Sequence, residues 1–223
     1  MKTVAIIQPY FFPYPGYFRL FAAADEVVMF DCVQFPRRGW VHRNRFARAD
    51  GTLDWLTLPL AKAPRDITID RLEFADNAGP TLEASIRRFP VLDAGLRSGN
   101  DLVQTMLACG RDVTRYLIDT LAATTRALGL RGPGIRSSSL NIANDLHGQD
   151  RVIAIVHALG GTHYINPSGG RALYDQETFR NADISLGFLT PWSGPVESTL
   201  SRLLTEPAPR VADELRLQSI VEA

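Results

Sequence analysis

The sequence predicts an α/β fold: a Rossmann-like, mainly parallel sheet with a helical insertion. Two observations carry most of that reading. Val4-Ala5-Ile6-Ile7 and Val27-Val28-Met29-Phe30 are continuous apolar runs, the pattern of strands buried on both faces. A short helix-like stretch, Tyr17 to Ala24, separates them, so the first thirty residues read as a βαβ unit. A third observation is the long stretch from Pro80 to Leu128, which has helical spacing and no strand pattern.

The elements follow in order. The first strand breaks at Gln8-Pro9-Tyr10-Phe11-Phe12-Pro13-Tyr14-Pro15-Gly16, where prolines restrict their own φ and that of the preceding residue. A rigid aromatic turn at the C-terminal end of a first strand is where open α/β sheets place ligands; a packed N-terminal plug is the alternative. Leu53 to Leu60 alternates in part and predicts a third strand. Ile67 to Phe74 alternates more cleanly, suiting an edge strand or hairpin arm. In the helical stretch, Asn100-Asp101 offers an N-cap, and a second helix through Val113, Leu117, Ile118 and Leu121 ends at Gly129. Ile135 to Ile142 could return to the sheet. Gln149 to Leu159 predicts a helix stopped by Gly160-Gly161. Thr162 to Ile165 predicts a short strand leading into an Asn166-Pro167-Ser168-Gly169-Gly170 loop, and Ile184 to Leu189 a last strand. Residues 1–191 read as a single α/β domain including an insertion at about 80–130. Residues 192–223 read as a C-terminal tail carrying at best a loosely attached helix.

With 24 basic and 24 acidic residues, no global charge favours nucleic acid as the primary ligand or a membrane surface. No apolar run is long enough to span a bilayer. Cys32 and Cys109 lack metal-type spacing and read as reduced core residues, and no signal-peptide pattern opens the chain, so the expected compartment is the cytoplasm. The oligomeric state is left open.

Five arginines fall between Arg37 and Arg48, with no acid before Asp50. Like charges repel at close range, so such a cluster asks for an anion or for scattered ion pairs on a solvated loop. Arg37, Arg38, Arg43 and Arg45 offer planar forks for phosphate or carboxylate, with Asn44 and Trp40 among them. No cofactor fingerprint is present; a nucleotide or phosphate-bearing donor would suit these arginines. Gln8 and Gln34 each leave a strand beside an aromatic and a proline, and could hold one ligand or satisfy turn backbone. Tyr10 and Tyr14 could shape an acceptor pocket. Asn166, Ser168 and Gly169 could present polar groups to an anion, or form only a tight turn. His163 and His42 are the acid–base candidates, because histidine titrates near neutrality; a structural role is the alternative for each. No metal-ligand spacing is seen. The expectation is that Gln8, Tyr10, Arg38, Trp40, His163 and Asn166 line one cleft along a shared sheet edge.

Three stretches resemble the WbqC-like protein family: Ile7 to Phe18, Asp31 to Arg45, and Tyr164 to Gly170 with Leu173, Tyr174 and Phe179 following. The resemblance implies a small-molecule transferase of bacterial surface-polysaccharide or related secondary metabolism, moving an acyl or aminoacyl group to an amino-containing acceptor. It carries no catalytic assignment. Two rivals stay open: an ATP-dependent nucleotidyl-transferring or adenylate-forming enzyme, and a non-catalytic ligand-binding protein of a glycan pathway. The adenylate reading also rests on a loose, fold-level similarity of the opening strand, aromatic turn, helix, strand and Gln34-Phe35 element to nucleotidyltransferase-type ligases, whose His-x-Gly-His motif is absent here.

Overall fold

A computed structural model describes residues 1–222. Strands β1 (Thr3–Ile7) and β2 (Glu26–Met29) pair in parallel, Val4 opposite Glu26 and Ile7 opposite Met29, with helix α1 (Arg19–Ala23) between them. The main sheet is completed by β5 (His163–Pro167), β6 (Ser185–Leu189) and the edge strand β7 (Val221–Glu222), in the order β2-β1-β5-β6-β7. All its pairings are parallel except β6 with β7. The expected α/β fold with a mainly parallel sheet is what forms.

The apolar runs are continuous because both sheet faces are covered. Val4, Ile6, Val28, Tyr164, Leu186 and Phe188 pack on one face against Val152, Ile155 and Val156 of α6 (Gly148–Ala158) and Phe179 of α7 (Gln176–Asn181). Ala5, Val27, Met29 and Ile165 pack on the other against Leu20 and Phe21 of α1 and Val211, Ala212 and Leu215 of α9 (Ala208–Leu217). Because β2 and β5 flank β1 on opposite sides, the strand order switches direction between the C-terminal ends of β1 and β5. That is where such sheets open a crevice.

The helical stretch forms as α2 (Ala78–Ile86), α3 (Pro90–Arg97), α4 (Asp101–Leu107) and α5 (Val113–Ala127). Asn100 does cap α4, its side-chain oxygen accepting from the N–H groups of Leu102 and Val103. These helices enclose a separate core with the aromatic turn: Phe11 and Phe12 pack with Phe46, Leu56, Leu82, Phe89, Met106 and Tyr116.

Four local expectations are corrected. The 53–60 strand is β4 (Leu53–Thr57), outside the main sheet in an antiparallel hairpin with β3 (Arg43–Ala47). Ile67 to Phe74 holds only isolated bridges and a 3-10 turn at Ile69–Arg71, because its backbone bonds go to several separate segments. Ile135 to Ile142 touches the sheet through one bridge, Met29 with Arg136, before a turn at Ser137–Ser139. The segment beyond Trp192 is firmly packed: α8 (Thr199–Thr205) and α9 bury Leu200, Arg202, Val211, Ala212 and Leu215. Buried Arg202 pairs with Glu206 at 2.7 Å and Glu214 at 2.7 Å.

Candidate functional site

The aromatic turn is a structural joint. Phe11, Phe12, Pro13 and Pro15 are buried, and Phe12 holds a φ of 42°, a left-handed conformation that costs a bulky residue energy. Its carbonyls explain how it is held. Asn44 Nδ2 donates to the Phe11 and Phe12 oxygens, Ser198 Oγ donates to Phe12 O, and Thr199 Oγ1 donates to Pro13 O. The Asn44 oxygen accepts from the Arg45 N–H. Asn44, expected in a binding role, is thus a buried clamp joining hairpin and turn, while Ser198 and Thr199 fasten the C-terminal segment to the same turn. Tyr14 is half-buried, and Gly16 sits where a Cβ would meet the Tyr14 ring at 2.4 Å and Trp192 at 2.8 Å, so only glycine fits. Tyr10, also half-buried, packs on Tyr17. Burial raises both phenols above their ordinary value.

The single shared cleft does not form. Gln8 and Asn166 do lie at the C-terminal ends of β1 and β5, but His163 is the first residue of β5, paired with Thr3 at the opposite edge of the sheet. Its Nδ1 is 2.9 Å from Thr162 Oγ1, its nearest hydrogen-bond partner. A parallel strand puts its two ends at opposite edges, and five residues span roughly 13 Å from first to last Cα. Arg38, Trp40, Arg43 and Arg45 belong to the hairpin region instead. Arg37 and Gln34 are wall-builders: Arg37 Nη2 donates to the Ala63 and Pro64 carbonyls, and Gln34 Nε2 donates to Arg65 O. His42 packs edge-on against Phe35, and its pKa is lowered to about 4 by burial, then by the Arg43 and Arg37 charges. It is therefore neutral at pH 7 and does not titrate near neutrality as expected.

The structure instead opens a cavity of about 1100 Å³ beyond the C-terminal end of β2. Its walls come from Phe30 to Gln34, Pro64 to Arg71, Ser137 to Ile142, the N-terminal turn of α6, and Leu173-Tyr174. Of the sequence-derived candidates, only Gln34 lines it. A second, smaller cavity of about 610 Å³ lies between Glu73 to Asp76 and Gly110-Arg111.

Beneath the large cavity sits Asp31, fully buried. Its Oδ1 accepts from Ser137 Oγ at 2.9 Å and Ser138 N at 2.8 Å; its Oδ2 accepts from Arg136 Nε at 2.6 Å and Ser138 Oγ at 2.8 Å. A buried carboxylate is tolerable only with such complete pairing. The network fixes Ser137 and Ser138, and Ser137 Oγ also lies 3.1 Å from Cys32 Sγ. Arg151 Nε donates to the same sulfur at 3.2 Å, so Cys32 faces the cavity beside a guanidinium instead of lying in apolar core as expected.

The remaining walls carry both signs of charge. Arg71 and Arg151 line the cavity with Asp66 and Asp70, and Asp70 Oδ1 is shut from solvent with no donor among the described residues. At the far wall, Asn166 Nδ2 donates to Tyr174 OH at 3.0 Å and to Tyr164 OH, while Tyr164 stacks on Phe179. Asn166 therefore braces a cavity-wall tyrosine from behind, its oxygen set against Gly170. Ser168 and Gly169 lie in the adjoining 3-10 turn, Ser168–Leu173. Among the described residues, no three His, Cys, Asp or Glu side chains gather in a metal-holding group.

The WbqC-like protein family model matches residues 8–196. The chain belongs to the WbqC-like protein family. A curated relative, a protein of Mycobacterium tuberculosis (strain ATCC 25618 / H37Rv) described as uncharacterized, is 43% identical over 60 residues. That match covers 27% of this chain and 26% of the relative, so the chain spans about a quarter of the relative's length. No solved structure matches the chain. No helix among the described residues is long and apolar enough to cross a membrane.

The cavity residues that sequence reading missed are Cys32, Asp70, Arg71, Ser137, Ser138, His147, Arg151 and Tyr174. Two of their segments carried a visible signal: the Arg136-Ser137-Ser138-Ser139 run, and His147-Gly148-Gln149 opening a helix.

Proposed function

We propose that this WbqC-like chain is a small-molecule transferase, moving an acyl or aminoacyl group to an amino-containing acceptor in bacterial surface-polysaccharide or related secondary metabolism, in the cytoplasm. The observation that supports it best is the mixed charge of the large cavity. Arg71, Arg151 and the N-terminal end of α6 favour an anion such as a phosphate or carboxylate. The carboxylates of Asp66 and Asp70 on the same walls favour an ammonium. A ligand carrying both, such as an aminoacyl group on a phosphate-bearing donor, satisfies the two together. Apolar Phe30, Ile67, Leu140, Ile142 and Val152 would enclose its body.

The test is incubation with activated aminoacyl and acyl donors and amino-bearing acceptors, with amide products followed by mass spectrometry. Arg151→Ala and Asp70→Asn should each lower kcat/KM at least tenfold, the loss of one charged contact. Pyrophosphate release with ATP and a free acid would replace this reading with an adenylate-forming one. Binding of none of the donors or acceptors would point to the non-catalytic alternative.

A further inference from the structure

The outer face of the β3–β4 hairpin lines neither cavity, yet it carries the chain's densest group of cations and tryptophans. Alternation along β3 turns Asn44 and Phe46 inward and leaves Arg43 and Arg45 half-exposed. Trp55 of β4 pairs opposite Arg45, and its ring lies 5.2 Å from that of Trp40, which is 37% exposed. The Arg43 guanidinium sits 4.1 Å over Trp55, and Arg45 sits 5.6 Å from both rings. Such stacking holds a guanidinium flat while its edge N–H groups stay available.

Those N–H groups meet few partners. Arg43 donates to the Gly39 and Arg38 carbonyls, but the Arg38 and Arg45 side chains donate to none among the described residues. No acid lies within ion-pairing distance of Arg37, Arg38, Arg43 or Arg45 among the described residues, whereas Arg48 and Arg88 at the margin both pair with Asp54. The chain as a whole is neutral, so this face is a local choice and not the residue of an overall basic composition.

We propose that the Trp40–Trp55–Arg45 face is a docking surface for an acidic protein partner, through its carboxylates. The absence of a lining cavity favours a macromolecule over a small anion. Tryptophan and arginine are the residue types that dominate protein interface energetics. Arg43 already stacks over the Trp55 ring and Arg45 lies near both rings, which reduces the free aromatic platform that single-stranded nucleic acid uses. This surface stands independently of the transferase reading.

The test uses calorimetric titration of the full chain with an oligoglutamate peptide, an oligothymidylate of equal charge, and inorganic phosphate. The peptide should bind, weaken with added salt, and lose about tenfold in affinity with Arg38→Ala or Arg45→Ala. Arg45→Lys should also weaken it, because lysine keeps the charge and loses the stacked fork. Arg88→Ala, already paired, and the cavity variant Arg151→Ala should leave it unchanged. Three outcomes overturn the proposal: no peptide binding by the parent, tighter binding of oligothymidylate, or full displacement by millimolar phosphate. Unchanged affinity in Arg45→Ala, with its melting curve intact, also overturns it.

Discussion

Replacing Asp31 with asparagine tests whether the cavity floor is held by charge as well as by shape. The two side chains are nearly isosteric, so packing stays constant. Each carboxylate oxygen accepts two bonds, one from a rotatable serine hydroxyl and one from a fixed N–H: Ser138 N at Oδ1 and Arg136 Nε at Oδ2. At Oδ2 the Ser138 hydroxyl can turn to accept from an amide NH2, whereas at Oδ1 the Ser137 oxygen already accepts from the Asp31 and Cys32 N–H groups; on either side the fixed N–H faces another donor. The variant therefore strands one partly buried donor against the fully buried Asp31 position at about 1–3 kcal/mol. It also removes the counter-charge of Arg136, which is partly exposed and keeps Asp112 at 3.5 Å, so that addition is about 1 kcal/mol. The sum is about 2–4 kcal/mol. Urea unfolding should show this loss with an unchanged slope, and melting should fall by roughly 4–16 °C for a chain of this size. A loss below about 1 kcal/mol would refute the reasoning and mean that the serines and Arg136 find other partners freely.

Three further outcomes are expected. Because the His42 pKa is lowered to about 4, the unfolded chain binds a proton that the folded chain rejects. Its contribution to stability is full above pH 6.5 and is lost as pH falls toward 4. The full shift is worth about 3 kcal/mol, reduced to about 2 kcal/mol by the ring's partial exposure, and His42→Phe should flatten that part of a melting-versus-pH curve. Asn44→Ala should cost about 1–3 kcal/mol in chemical denaturation by leaving the buried Phe11 carbonyl and the Arg45 N–H unpaired. Burial pushes the Cys109 thiol up to about 11, whereas Cys32 lines the open cavity, so at pH 8 iodoacetamide should label Cys32 first; preferential labelling of Cys109 would contradict the cavity geometry.

The hairpin shows how a local pattern can be present and still be misread. Arg43-Asn44-Arg45-Phe46-Ala47 alternates as a strand should, but the inward position is filled by asparagine. Burial of that polar residue makes sense only once the Phe11 and Phe12 carbonyls are seen to need its amide. The tail misled for the same kind of reason: its prolines and charges look like a solvated end, while Arg202 is buried because Glu206 and Glu214 meet it.

By itself the sequence determined the buried parallel strands, the run of helices α2 to α5 and the α4 cap, because apolar runs, helical spacing and capping chemistry are local and written in consecutive residues; the family was legible only as a resemblance carried by three motif stretches. Only tertiary structure decided where the cavity opens and which side chains face it. Asp31 and Ser137 are 106 positions apart, and Cys32 and Arg151 are 119, so no window of sequence contains either pair. Strand direction decided the rest: a parallel strand carries its first and last residues to opposite edges, which parts His163 from Asn166 although only two residues separate them in the chain.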